Sequence, residues 1–260
     1  MHVAVIGGTG GLGAHVVSEL LNRGHQVRVV SRSAPDLMRA NLTHRTADLS
    51  TGVGLDAAFD NIDTVVDAVN SQKQATAVLV DGLRRVLDAE VRAGVGHHVE
   101  ISIVGCDRIP IGYYRAKVEQ EKVLAAGPVP WTLLRATQFH SFVDAPLAAA
   151  AKYRISPHSR AQFQPIDVGE VAARLADAVD TGPSNRVPDI GGPTVYSLTE
   201  LAEIRRAHHD GHMLAVHIPL PGKAGRAMRE GAACLDDTGR RVGSTYEQWL
   251  ADATLDAATR

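Results

Sequence analysis

Tyr113 and Lys117 are four residues apart in GYYRAKVEQEKVLAA, so on a helix their side chains share one face. A phenol beside an ammonium can do acid–base work. The positive charge favours phenolate, and a tyrosine tuned this way can protonate a carbonyl oxygen as hydride reaches the carbon. Tyr114, three residues before Lys117, offers the same chemistry from the neighbouring position, and an amphipathic pair with no catalytic role has the same spacing. Gly7, Gly10 and Gly13 form a second constellation, G-x-x-G-x-x-G. Glycines so spaced let a backbone approach a pyrophosphate, which rests on the free N–H groups and positive dipole end of the next helix. The plainer alternative is a turn whose glycines serve only strand–helix packing. Arg32 is the third group. It lies nineteen residues after Gly13, where an NAD site carries an acid for the ribose 2′-hydroxyl, and the strand ends VVSRS with no acid from there until Asp36. A guanidinium there can fork onto a 2′-phosphate, with Ser31 and Ser33 as hydroxyl donors. On its own Arg32 reads equally as a solvated charge; with the acid missing, the pair of signals points to NADP (NADPH).

These groups need elements to hold them. His2 to Ile6 is a short apolar run, Gly11 to Arg23 has helical spacing and stops at Gly24, and Gln26 to Val30 is a strand again. Strand, glycine turn, helix and strand within about thirty residues make one βαβ unit. Strands follow at Leu42 to Thr46, Asp63 to Val69, His98 to Ile103 and Trp131 to Arg135, with helices at Ala75 to Ala93 and Gly112 to Ala126. Alternation of this kind implies an α/β fold: a doubly wound parallel sheet of Rossmann type, covered on both faces. After Arg135 the rhythm loosens. FQPIDVGEVAARLADAV reads as a short strand and a helix capped by Asp167, with Glu170 three residues on, and GPSNRVPDIGGPTVYS as loop. A helix over Ser197 to Arg206, a strand over Leu214 to Ile218 and a final helix from Thr238 complete the reading. The expected layout is a Rossmann core over 1–150 and a small α+β lobe over 151–260, interleaved with late core elements.

Composition narrows the partners. A net charge of -2 gives no reason to expect nucleic acid or a membrane surface, and no apolar run is long enough to span a bilayer. Two distant cysteines, Cys106 and Cys234, and a strand starting at residue 2 lead to the expectation of a reducing, cytoplasmic setting without a signal peptide. A small-molecule substrate is expected, with homo-oligomerisation possible. Histidines add little. AHHDGHMLAVH sets His208 and His212 four apart around His209 and Asp210, but Gly211 interrupts a helix there, so a solvated loop is expected and no metal site. His97 and His98 read as packing or surface residues before a strand. His140 follows a strand end, where such sheets gather ligands, and joins Phe139, Phe142 and Phe163 as candidate pocket lining.

GGTGGLG, ADLS after the third strand, DAVN after the fourth and YYRAK opening the helix after the fifth resemble the short-chain dehydrogenase/reductase superfamily. WTLLRATQF, QPIDVGEVA and IGGPTVYSLTELA are similar to its atypical, NmrA-like NAD(P)H-binding branch, and the resemblance covers about residues 1 to 206. It implies a cofactor lying along Gly7, Thr9, Gly10, Gly11, Leu12 and Gly13, with Asp48 and Leu49 near the adenine. Ala68, Val69 and Asn70 would follow its ribose and phosphates. It implies Tyr113 and Lys117 as the catalytic pair, with Ser102 as the serine partner at the end of the fifth strand. That branch often lacks the tyrosine while keeping the lysine for the nicotinamide ribose. Three functions fit: an NADPH-dependent oxidoreductase acting on a carbonyl, imine or activated double bond of a small apolar metabolite; a regulatory protein that senses NADP(H) without turnover; and a non-redox isomerase or lyase on the same fold.

Overall fold

A strand covered on both faces must be apolar nearly throughout, and His2–Ile6 (β1) is buried at every residue after the first. The computed structural model describes residues 1–35, 39–208 and 212–258. After β1 come α1 (Gly11–Asn22), β2 (Gln26–Ser31), β3 (Leu42–Thr46), α2 (Leu55–Phe59) and β4 (Thr64–Asp67). A π-helical turn (Thr76–Val80) leads into α3 (Asp81–Ala93), then β5 (His97–Ile103), α4 (Gly112–Ala126), β6 (Trp131–Ala136) and α5 (His140–Ala151). Next are β7 (Ile155–His158), β8 (Gln162–Phe163), α6 (Val168–Thr181), β9 (Asn185–Arg186), β10 (Ile190–Gly191) and β11 (Tyr196–Ser197). The chain closes with α7 (Leu198–Ala207), β12 (Leu214–His217), α8 (Gly222–Arg229), β13 (Arg240–Arg241) and α9 (Tyr246–Ala258).

Local chemistry explains most boundaries. Gly94, at φ 73°, takes the left-handed conformation that ends α3. Asp167 Oδ1 accepts from the Gly169 N–H at the start of α6, as its position suggests, and Ser197 with Glu200 forms a capping box for α7. Some elements differ from expectation. The expected helix from Ala75 starts as a π-turn, and β5 begins at His97, so both histidines lie inside the strand. The last helix begins at Tyr246 and not near Thr238, because Gly243 sits at φ 79° and breaks any earlier run. Thr245 and Gln248 exchange side-chain–backbone bonds that fix the true start. Helices α2, α5 and α8 carry no clear sequence signal; α5 is alanine-rich with Pro146 inside it.

The chain divides into two units, each assembled from separate segments. The first holds Met1–Ser102, Gly112–Arg135 and Val171–Val187; the second holds Ile103–Ile111, Ala136–Glu170 and Pro188–Arg260. In the first unit the strand order is β3-β2-β1-β4-β5-β6, with β9 beside β6. β1 pairs in parallel with β2 and β4, as do β2 with β3 and β4 with β5. This is the doubly wound Rossmann order, and its direction of winding reverses between β1 and β4. One face of the sheet packs Ala4, Ile6 and Val65 against Leu55, Phe59, Leu83, Val86 and Leu124 from α2, α3 and α4. In the second unit β8 pairs antiparallel with β11, and β7 runs parallel to β12. Tyr246, Tyr196, Leu147 and Leu201 form its own apolar cluster.

Candidate functional site

In an open parallel sheet, ligands gather beyond the carboxyl ends of the strands where the winding reverses, here the ends of β1 and β4. The chain leaves β1 through Gly7, at φ 73°, and the Gly10 N–H donates to the Gly7 carbonyl at 2.8 Å. The glycines have different reasons to be glycine. A Cβ on Gly13 would stand 2.1 Å from the Gly7 oxygen, so Gly13 serves close helix–strand packing. A Cβ on Gly7 would press on Ala68 and Val69 at 3.2 Å, which places the loop directly against the end of β4. Gly11 has nothing within 4 Å of that position and faces open space, whereas a Cβ on Gly10 would meet the Gly7 oxygen at 3.2 Å. No side chain caps α1, whose first N–H groups are left for a ligand. Thr9 is exposed beside them, whereas the Leu12 side chain is buried in the core and offers only backbone.

The rim continues from β2 and β3. Arg32 is exposed at the end of β2 and makes no ion pair or hydrogen bond among the described residues. Asp36, the nearest following acid, lies outside them. The Ser31 hydroxyl donates to the Ser33 carbonyl at 2.5 Å and meets His44 Nε2 at 3.2 Å, so it braces the turn that carries Arg32. Asp48 Oδ1 accepts from the Ser50 hydroxyl and N–H, which hold its carboxyl below the usual range, with Arg32 adding a smaller attraction. Leu49 is buried against α3, where a Cβ on Gly82 would come within 3.1 Å of it.

At the end of β4, Asn70 is exposed and its Oδ1 accepts from the Tyr113 hydroxyl at 2.8 Å. The topology therefore joins DAVN to YYRAK. Tyr113 and Tyr114 are both half-buried with ring centroids 5.9 Å apart, and Ser102 is buried at the end of the first unit's β5 segment. Lys117 points into the protein. Its Nζ donates to the Ile101 carbonyl at 2.7 Å, Gln120 Oε1 at 2.6 Å and Glu100 Oε1 at 3.4 Å.

Sequence reasoning missed what surrounds that lysine. Asp67 and Glu100 are register partners on β4 and β5, and His98 shares their face. His98 Nδ1 lies 2.7 Å from Glu90 Oε1 on α3, and its Nε2 lies 3.6 Å from Glu100 Oε2. All five residues, Asp67, Glu90, His98, Glu100 and Lys117, are at most 3% exposed. Burial and the neighbouring Glu100 push the Asp67 carboxyl up to about 7, and burial also raises Glu90. His98 is held well above its ordinary value: burial opposes its charge, but Glu90 and Glu100 outweigh it. His97, on the other face, is pushed down to about 4 by burial and bonds Thr132 Oγ1 at 2.9 Å. The signal available was the alternation His98, Glu100, Ser102 along a strand too central to expose one face.

The remaining histidine and phenylalanine candidates are structural or exposed. In the second unit His140 stacks on Trp249, with centroids 5.4 Å apart, and its Nε2 meets the Ser244 carbonyl at 3.2 Å. Burial keeps it below its ordinary value, so it packs as a neutral ring. Phe163 packs on the same cluster, Phe139 bridges to Ile166, and Phe142 is 57% exposed. His208 ends α7, while His209 and Asp210 lie outside the described residues.

Residues 7–180 match the family described as NAD(P)H-binding, which is more than half of the chain. The chain belongs to that family. Quinone oxidoreductase 2 of Escherichia coli (strain K12) is 27% identical over 215 residues, covering 77% of this chain and 72% of that protein. A chloroplastic divinyl chlorophyllide a 8-vinyl-reductase of Zea mays is 28% identical over 219 residues, 74% of this chain and 55% of the reductase. The fold matches the crystal structure of the NADPH-dependent quinone oxidoreductase QOR2 of Escherichia coli complexed with NADPH. There the TM-score is 0.80 at 19% identity, covering 97% of this chain and 99% of that one. A nucleoside-diphosphate-sugar epimerase structure from Staphylococcus aureus matches with a TM-score of 0.79 at 18% identity, over 96% of this chain and 99% of that one. The NAD(P)H-binding family and the Rossmann-type fold expected from the sequence are thereby borne out. Among the described residues no helix is long and apolar enough to cross a membrane.

This NAD(P)H-binding protein's own geometry fits the cofactor. Open space at Gly11, uncapped N–H groups on α1 and Arg32, which has no ion-pair partner among the described residues, suit the pyrophosphate and a further phosphate.

Proposed function

We propose that the protein is an NADPH-dependent oxidoreductase that reduces a carbonyl, imine or activated double bond of a small apolar metabolite. The observation that carries the reading is Tyr113: its hydroxyl bonds Asn70, in the β4-end segment that Gly7 touches through Ala68 and Val69. When bound, the nicotinamide supplies hydride, so the chain must supply the proton for the acceptor oxygen. Tyr113 holds such a proton and can exchange Asn70 for a substrate oxygen, with Lys117 four residues on in the sequence. Arg32 supports NADPH over NADH, since it is an exposed guanidinium at the end of β2 with no acid partner among the described residues. The names of two relatives, a quinone oxidoreductase and a vinyl-reductase, support conjugated acceptors as first substrates to try.

The test is NADPH oxidation with a panel of quinones, aldehydes and enones. With an accepted substrate, Tyr113→Phe should lower turnover about a hundred- to ten-thousandfold while NADPH affinity barely changes, and Tyr114→Phe should be nearly silent. Full turnover in Tyr113→Phe excludes that tyrosine as the acid. One observation favours a second reading, a sensor that binds NADP(H) without turnover: every Lys117 proton already has an acceptor in the protein. Tight NADPH binding with no oxidation across the panel would decide for it.

A further inference from the structure

Lys117 has three ammonium hydrogens and three acceptors, Ile101 O, Gln120 Oε1 and Glu100 Oε1. Two of these are neutral dipoles. Glu100 is the only carboxylate within 4 Å of Nζ among the described residues, and it is itself held from two sides. Gln120 Nε2 donates to Glu100 Oε2 at 3.1 Å, and the same oxygen lies 3.6 Å from His98 Nε2. His98 is in turn fixed by Glu90 at 2.7 Å. A buried ammonium without a counter-charge costs several kcal/mol, so the carboxylate decides whether this lysine can stay where it is. The Asp67, His98 and Glu100 ligand atoms also lie within 4.8 Å of one another, near enough to suggest a metal. Lys117 and Gln120 already occupy both Glu100 oxygens, and a cation beside an ammonium is repelled, so an ion-pair cluster is the better account.

We propose that Glu100 is the positioning residue for Lys117: braced by Gln120 and His98, it fixes the lysine ammonium at the Ile101 carbonyl and thereby sets the grip on the cofactor. The part concerning grip rests on the NADPH reading above; the part concerning the lysine's position does not. Glu100 and Lys117 come from β5 and α4, so neither the strand nor the helix alone specifies the pair. Gln120 stands one helical turn from Lys117, within reach of both, and can bridge them without adding charge.

Glu100→Gln removes the charge and keeps the shape. In that variant, acylation of Lys117 by an amine-reactive ester, read by peptide mass spectrometry, should rise about tenfold, equivalent to about 1.4 kcal/mol of lost holding energy. Backbone hydrogen exchange in β5 and α4 should change little. The swap Glu100→Gln/Gln120→Glu returns a carboxylate to the ammonium and should restore protection. NADPH affinity, by fluorescence titration, should fall about three- to tenfold in Glu100→Gln. In a Lys117→Met background the same substitution should cost less than about twofold, because positioning has no lysine left to act on. Unchanged labelling, a swap that fails to restore protection, or an undiminished affinity loss in the Lys117→Met background each overturn the proposal. Should the parent protein fail to bind NADPH, the cofactor reading fails, and labelling with the swap still decides whether Glu100 holds the lysine.

Discussion

The glycine loop after β1 and the charged cluster between β4, β5, α3 and α4 belong to one unit and work by opposite means. The loop works by leaving side chains out: a Cβ on Gly13 would meet the Gly7 oxygen at 2.1 Å, while Gly11 leaves room in front of α1. The cluster works by packing charges where water cannot reach, with Glu90, His98 and Glu100 each at 0% exposure. A loop of the first kind tolerates no added atom at its packing point. A cluster of the second kind tolerates no removed charge, because each group is another's compensation.

Five substitutions break or sharpen that contrast. Gly13→Val should be the most severe, since the clash is with backbone that cannot yield; the loss should exceed the roughly 5 kcal/mol that marks extreme single substitutions. Gly11→Val is its counterpart. It should leave the urea midpoint nearly unchanged and weaken NADPH binding about tenfold or more, by filling ligand space. Equal effects at the two glycines, measured by denaturation and titration together, would erase the distinction between packing and ligand glycines. His98→Leu removes the cation between Glu90 and Glu100 and should cost about 3–5 kcal/mol at neutral pH. Part should return as the pH is lowered, because burial raises Glu90 and makes it take up a proton more readily in the folded protein.

Asp67 carries a pH signature. Its folded-state value of about 7 lies above the ordinary carboxyl range, so the folded protein holds a proton that the unfolded chain releases near pH 4. Stability contributed by this group therefore falls as pH rises from about 4 to about 7, and the full penalty is present above that window. Asp67→Asn should accordingly stabilise the protein by about 2–4 kcal/mol at pH 8 and clearly less at pH 5, in urea unfolding at both. A gain independent of pH would mean that Glu100, His98 and Lys117 set the local field differently. Arg32→Ala should have the smallest effect on the fold and a selective one on binding. Losing one charge-assisted phosphate contact costs about 1.5–3 kcal/mol, so NADPH should weaken about ten- to a hundredfold with NADH unchanged. Equal titration curves for the two cofactors in the parent protein would remove the basis for that prediction.

Legibility followed the same divide. The loop, β1, β3 and α4 could be read directly, because glycine spacing, apolar runs and helical periodicity are local patterns. Arg32 was visible for the same reason, as a base where an acid is usual. Glu100 could not be read, since its meaning depends on Asp67 across the strand pair and on Lys117 from the next helix. His97 and His98 read as packing or surface residues, and only the fold shows that they pack, each facing a different buried layer. Helix α5 escaped notice because alanines and a mid-helix proline leave no amphipathic stripe.

The ends of the first unit's segments bear on how the protein is made. Arg23, after α1, is held by Asp177 and Asp180 of α6, and His25 by the same Asp180. A ribosome that has delivered the first six strands has still not delivered those acids. The nascent chain must then keep its opening βαβ unit soluble while two of the second unit's three segments are synthesised, and it closes the first unit only when residues 171–187 return. Long-range closure of this kind slows folding, so a fragment ending near residue 150 is an unfinished fold with an uncovered flank.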